Sequence, residues 1–216
     1  MKSLVIIGAG GLGKEIAWSY GRSMGQSGEF NLVGYCDDNP ALVGQTQLGL
    51  PVLSLEALLK DPHTDGMHFI CAIGNNAVRK TLVDRCLSSQ WQPLSIIDPS
   101  VILGLETQIG VGTYLAPGCI ISNQTVLKDH IIVNLHASVG HDCRVEMFAQ
   151  LCPGARISGN CIIETGAFLG TNAALAPGRH MGHNSILGGG SFCAVDIPDS
   201  TTALGTPARL VPVKPA

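Results

Sequence analysis

The apolar positions of this chain follow two different rhythms. Between residues 3 and about 95, short aliphatic runs alternate with stretches whose apolar residues recur at helical spacing. Ser3 to Gly8, Leu32 to Asp37 and His68 to Gly74 read as strands. Leu12 to Arg22, Leu55 to Lys60 and Asn76 to Ser88 read as helices. Strands that alternate with helices predict βαβ units and a parallel sheet.

From Ile97 the rhythm becomes six. Stepping by six residues from Ile97 to Leu187 meets sixteen apolar side chains without a slip. Two residues before each of these from Ile109 to Leu187 stands a small residue in twelve of fourteen cases, the exceptions being Ile131 and Arg179. A six-residue repeat of this kind predicts a parallel β-helix with three short strands per coil, an aliphatic side chain inside each face and a small one near each corner; the length allows roughly five coils. Each aliphatic position, if fully buried, adds about 1.5–3 kcal/mol. The expected organisation is a Rossmann-like α/β domain over residues 1–95 followed by a β-helix over 96–216.

Composition supports small side chains and tight turns: 27 glycines accompany only 13% charged and 5% aromatic residues, which excludes a long-helix protein. A formal net charge of −3 argues against nucleic acid or an anionic membrane as partner. Glycines interrupt the apolar start before it reaches the length of a signal peptide's core, and no stretch approaches a membrane span. A cytoplasmic protein is expected. The eight cysteines form no Cys-x-x-Cys pair and read as reduced thiols. Cys119, Cys143 and Cys161 fall on the small interior position and read as packing.

Two places carry candidate chemistry. Gly8-Ala9-Gly10-Gly11-Leu12-Gly13-Lys14 is a G-x-G-x-x-G loop between a strand and a helix, whose free amides suit a phosphate. His141 and Asp142 place an imidazole beside a carboxylate at the exposed side of a strand or corner, which fits a general base and its orienter. His136, five residues earlier, opens the alternative of a metal site, but that needs a third imidazole; none lies between residues 95 and 129 and His130 is too close in sequence to stand two coils away, so no metal is expected. His63, His68 and His130 read as structural or exposed, and His180 and His183 as exposed in a Gly-flanked turn.

Val133-Asn134-Leu135-His136-Ala137-Ser138-Val139-Gly140-His141-Asp142 resembles the active-site stretch of sugar O- and N-acetyltransferases. The resemblance extends to the Gly-rich start, Cys36-Asp37-Asp38-Asn39, Ala72-Ile73-Gly74-Asn75-Asn76, Ile186-Leu187-Gly188-Gly189-Gly190 and Gly205-Thr206-Pro207-Ala208-Arg209. Together these resemble the bacterial sialic-acid O-acetyltransferase and nucleotide-sugar 4-amino N-acetyltransferase family, which includes the bacillosamine and perosamine enzymes. The resemblance implies a left-handed β-helix and a homotrimer with acetyl-CoA between adjacent β-helices and a nucleotide-sugar held by the N-terminal domain. It implies that Gly10, Gly11 and Leu12 offer amides to the diphosphate, that Asp37, Asp38 and Gly74 line the nucleotide site, and that His141 is the base, sharpened by Asp142. Thr171 and Gly189 would offer backbone contacts to the pantetheine arm. Gln150 stands where some members have a second histidine, so a contact to acetyl-CoA there is of altered kind; the alternative is a solvated face. The implied acceptor is a 4-amino group on a nucleotide-linked deoxysugar, with a sialic-acid hydroxyl second. Two rivals come from other classes. A nicotinamide-dependent oxidoreductase fits the Gly-rich loop, but too few residues precede the repeat for both mononucleotide halves; a non-catalytic scaffold would make the motifs coincidental.

Overall fold

The computed structural model describes residues 1–25 and 28–211. The chain divides into two compact units, Met1–Pro99 and Ser100–Ala216. The first contains β1 (Lys2–Ile7), α1 (Gly11–Ser23), β2 (Phe30–Asp37), β3 (Thr46–Gln47), β4 (Leu50–Ser54), α2 (Leu55–Leu59), β5 (His68–Cys71), α3 (Asn76–Ser88) and β6 (Gln92–Pro93). These strands lie in the order β3-β4-β2-β1-β5-β6, parallel throughout apart from the antiparallel β3–β4 pair. The three longest helical and strand patterns appear where the sequence placed them, whereas β3, β4 and β6 were not foreseen.

The central strand explains the order. Leu4 to Ile7 are at most 1% exposed, as expected of a strand covered on both faces. On α1, Ile16 and Tyr20 point inward, and the Tyr20 hydroxyl donates to the Phe30 carbonyl at 2.9 Å. Ser54 caps α2 by accepting the Ala57 amide at 3.2 Å. Near the end of the unit, the fully buried Asp98 carboxylate meets the Arg22 guanidinium at 2.8 Å.

The second unit is a left-handed parallel β-helix of two-residue strands. Each strand pairs with the one eighteen residues on: Tyr114, Ile132, Gln150, Phe168 and Ile186 stack along one face. The second residue of each strand is the ladder residue of the six-residue repeat. From Leu115 to Leu187 these are at most 3% exposed, so each draws close to the full burial gain. The first coil departs from that expectation. Leu103 is 44% exposed and Ile109 half-buried, so the ladder there is open to solvent.

The small position works as expected. Thr113, Thr125, Ala137, Ala149, Ala155, Cys161 and Ala173 are completely buried, and even Ile131 is accommodated there. Its polar members satisfy backbone carbonyls of the next coil: the Thr125 hydroxyl donates to Gly140 O at 2.8 Å and the Cys143 thiol to Ser158 O at 3.1 Å. All eight cysteines are free thiols. A second period of six escaped the sequence reading. Every sixth residue from Glu106 to Gly190 has a left-handed backbone, and the corner turns there. Glycine or asparagine fills most of these positions, as the left-handed region favours; Gln124, His130, His136, Asp142 and Phe148 are consecutive exceptions, and Glu106 is another. A hairpin of Thr202–Gly205 and Ala208–Val211 follows the last coil. Among the described residues no helix is long and apolar enough to cross a membrane.

Candidate active site

In the first unit, the strand order reverses between β1 and β5, because the chain runs from β1 through α1 to β2 on one side and later adds β5 on the other. Crevices at such points, outside the carboxyl ends of the strands, hold ligands in open α/β sheets. Gly8 leaves β1 with φ of +105°, a conformation that needs glycine. The next amide, Ala9 N, donates to Asp37 Oδ2 at 2.9 Å, while Asp37 Oδ1 accepts Asn39 N at 2.9 Å. Asp37 therefore holds the loop in shape besides bordering the crevice. No side chain caps α1 at Gly10, and both Gly10 and Gly11 have nothing within 4 Å of where a Cβ would stand. The first-turn amides, taken by no cap side chain, stand at the positive end of the helix.

Two cavities open at this end of the sheet. A mostly apolar one of about 240 Å³ is lined by Ile7, Gly8, Cys36, Asp37, Asp38, Leu55, Ile73, Val78 and Leu82. A shallower one of about 490 Å³ is lined by Asp37, Asp38, Pro40, Val43, Ser54 and Glu56. The expected Asp37 and Asp38 border both. Gly74 is exposed in the β5–α3 loop next to Ile73 and lines neither. Leu55, Ile73 and Val78 were not anticipated as lining residues; their position just after a strand or at the start of a helix was the available signal. Asp38 is held by Arg85 of α3 at 3.0 Å, and Arg85 also reaches Glu56 at 3.7 Å. The buried Arg79 donates to the Ile73 carbonyl at 2.8 Å, which fixes the loop carrying Gly74. Burial pushes Arg79 down to about 10, so it keeps its charge at neutral pH. Burial also pushes the Cys36 thiol up, which leaves it a neutral wall of the cavity.

In the β-helix, His141 and Asp142 occupy one corner. Asp142 is the left-handed residue, with φ of +55°. Its amide donates to Asn123 O at 3.1 Å in the preceding coil, and the His141 carbonyl accepts Asn160 N at 2.8 Å from the following one. The turn brings the Asp142 carboxylate back onto its neighbour, with His141 Nδ1 2.7 Å from Asp142 Oδ2. A carboxylate only accepts, so the proton sits on Nδ1 and the Nε2 lone pair is left free for chemistry. Both side chains are about half exposed.

The other histidines serve differently. His130 is buried, stacked on Phe148 with ring centroids 5.1 Å apart. His136 is exposed at the next corner before His141, and its carbonyl accepts from Arg156. His180, expected exposed in a turn, stands on a strand and is half-buried, its Nε2 3.1 Å from Glu164; His183 approaches the other oxygen of Glu164 at 3.7 Å. Among the described residues no group of three His, Cys, Asp or Glu side chains is placed to hold a metal ion.

Thr171 and Gly189 lie eighteen residues apart at one corner, both exposed, with the Thr171 carbonyl accepting Gly190 N at 2.8 Å. Gln150 is not a solvated face. It is 6% exposed on a strand between Ile132 and Phe168, with its amide 3.8 Å from Cys152 Sγ. The His141 corner follows the Ser138–Val139 strand, the Thr171 corner the Phe168–Leu169 strand, and these strands belong to different faces. A single β-helix therefore carries the imidazole and the expected pantetheine contacts at different corners.

Residues 3–86 match the family model of the PglD N-terminal domain. Over 215 residues the chain is 30% identical to the GDP-perosamine N-acetyltransferase of Escherichia coli O157:H7, covering 94% of each. The chain belongs to the perosamine and bacillosamine N-acetyltransferase-like family of hexapeptide acyltransferases. Solved structures agree with this membership. The acetyltransferase domain of PglB from Neisseria gonorrhoeae FA1090 superposes with a TM-score of 0.88 at 30% identity, over 98% of this chain and all of that one. The H141N mutant of perosamine N-acetyltransferase from Caulobacter crescentus, solved with CoA and GDP-perosamine, gives a TM-score of 0.89 at 29% identity over 98% of both. Membership in this N-acetyltransferase family sets aside the scaffold and the oxidoreductase.

Proposed function

We propose that this protein transfers the acetyl group of acetyl-CoA to the 4-amino group of a nucleotide-linked amino deoxysugar, with His141 as general base. Acetyl-CoA-dependent N-acetylation of a nucleotide-sugar is the chemistry of its family. The observation that carries the role of His141 is the 2.7 Å contact to Asp142, which fixes the proton on Nδ1 and presents a free Nε2 at an exposed corner. As the amine bonds to the thioester carbonyl carbon, Nε2 takes the proton the amine gives up. It then returns a proton as the carbon–sulfur bond breaks and the thiol departs. Asp142 stays ionised throughout, holding the tautomer and the imidazolium that forms.

The N-terminal unit supplies the hold on the acceptor. Gly10, Gly11 and Leu12 give uncapped amides to a diphosphate. The apolar cavity bordered by Asp37 and Asp38 takes the base, with Gly74 on the loop that Arg79 pins. For acetyl-CoA, Thr171 and Gly189 offer main-chain groups at an exposed corner, and Gln150 an amide on the neighbouring face.

The separation of those corners from His141 supports a homotrimer in which one protomer's base serves acetyl-CoA lying against the next. The exposed Ile102, Ile120, Ile162 and Phe192 on outer faces of the β-helix supply apolar area for such contacts. Free thiols at all eight cysteines fit a cytoplasmic site of action. The product, a nucleotide-activated N-acetyl sugar, is a building block for polysaccharide assembly.

The test is thiol release from acetyl-CoA against UDP-, GDP- and dTDP-linked 4-amino sugars, with sialic acid as the hydroxyl acceptor. Turnover of one amino sugar is the expected result. Turnover of sialic acid alone would replace the amine by a hydroxyl, and release that persists in His141→Ala would remove the base.

A further inference from the structure

The imidazole of His141 rests on the backbone of the next coil at Gly159. A Cβ added there would stand 2.5 Å from Nε2, 2.6 Å from Cε1 and 3.0 Å from Cδ2, and these ring atoms are its three nearest neighbours. Two other imidazoles also cover glycines: His130 lies over Gly112 and His136 over Gly118. Those two glycines have φ of +66° and +74°, so the corner requires them whatever lies above. Gly159 does not have a left-handed φ. The equivalent places one and two coils earlier are held by His141 itself and by Asn123, so this point of the coil accepts a side chain. What Gly159 lacks, it lacks because of the ring.

We propose that Gly159 is a positioning residue for His141: its bare backbone seats the imidazole so that Nδ1 stays on Asp142 and Nε2 keeps its direction. The proposal rests on His141 being the base. With a methyl group at 159 the ring must turn about its side-chain bonds or lift away, and either motion breaks the 2.7 Å contact that sets the tautomer. Gly140 also approaches the coil at Gly159, but a Cβ on Gly140 would meet the backbone of Ser158 and Gly159. Gly140 is therefore needed by the fold, and only Gly159 separates the two requirements.

The test combines Gly159→Ala, His141→Ala and the double variant. A crystal structure of Gly159→Ala is expected to show the ring moved off Asp142, with kcat reduced roughly 100-fold, the scale of a misplacement of about 1 Å. In the double variant the ring is gone, so turnover should be no lower than in His141→Ala, and thermal stability no lower either. An undisplaced ring would overturn the proposal, as would losses that multiply. If Gly159→Ala fails to fold, restoration of folding by His141→Ala still identifies the clash, while a double variant that also fails makes Gly159 a backbone requirement. Should His141→Ala turn over normally, the base assignment falls, and the crystal structure still decides whether Gly159 seats the ring.

Discussion

The two candidate sites are built on opposite principles. At the Gly-rich loop the protein removes side chains: Gly8 turns where only glycine is comfortable, and Gly10 and Gly11 leave space empty. At the β-helix corner it adds them. There the repeat most often places glycine or asparagine, and the chain places His136 and Asp142, with about 1–2 kcal/mol of left-handed strain at His136 and less at Asp142. Asp142 and Asp and Asn generally tolerate that region best, because a short polar side chain bonds locally. In the function proposed above, the loop receives a ligand's phosphates and the corner a proton. The candidate site of the repeat lies at one of the places where the period is broken, that of the open sheet where the strand order reverses.

That contrast predicts a graded set of effects. Val133→Asp places a carboxylate at a ladder position with no exposure; it should cost about 4 kcal/mol or more, read as a collapse of the urea midpoint. An unchanged midpoint would mean that the ladder does not carry the second unit. His141→Ala should lower kcat about 10²- to 10⁴-fold while the far-ultraviolet spectrum and acetyl-CoA affinity hold. Asp142→Asn keeps the shape but can offer an N–H to Nδ1 and so favour the wrong tautomer. A loss of roughly 10- to 100-fold is expected, smaller than the about 10⁴ of a buried triad because this pair is half exposed. A rate equal to the parent's would make Asp142 a corner residue only.

Gly10→Ala sharpens the comparison from the other side. The fold has room for the methyl group, so melting temperature should not move, whereas KM for the nucleotide-sugar should rise about tenfold, equivalent to about 1.4 kcal/mol, with kcat little changed. A fall in kcat at constant KM would take the loop out of diphosphate binding. Smallest of all, Leu103→Ser at the open first coil should change stability by less than about 1 kcal/mol, against about 2–5 kcal/mol for Leu169→Ala deep in the same ladder. Equal losses would show that the first coil is covered in solution.

Much of this was legible before the fold was known, and the reason is periodicity. A ladder without a slip fixes strand positions and interior faces at once, because two-residue strands leave no freedom of register. The α/β unit was read from β1, β2, β5 and its helices, whose runs are long. Thr46–Gln47 and Gln92–Pro93 are too short and polar to signal a strand, and Pro51 disguises Leu50–Ser54. The polar residues whose burial the repeat left unread share one cause. Gln150 and His180 stand at the outward place of a strand, where the repeat says only that a side chain leaves the core. Which outward places are covered, and by what, depends on packing beyond the coil, and no period records it. The His141–Asp142 pair was visible as neighbours in sequence; that Asp142 would turn left-handed, and so fold its carboxylate onto the ring, required the corner's own period.

The clamp on that corner has a kinetic meaning. The peptide joining His141 and Asp142 is bonded to Asn123 O on one side and to Asn160 N on the other, so it belongs to three coils at once. Moving it alone would break ladder bonds in both directions, an excursion closer to unfolding than to breathing. The imidazole is thus carried on a frame that does not wait for the ligand, and relaxation-dispersion signals on the microsecond-to-millisecond scale should be quiet at residues 141 and 142 with or without acetyl-CoA. The backbone beneath the proposed base is thus in place before either ligand arrives, and any slow motion that gates turnover is expected away from this peptide.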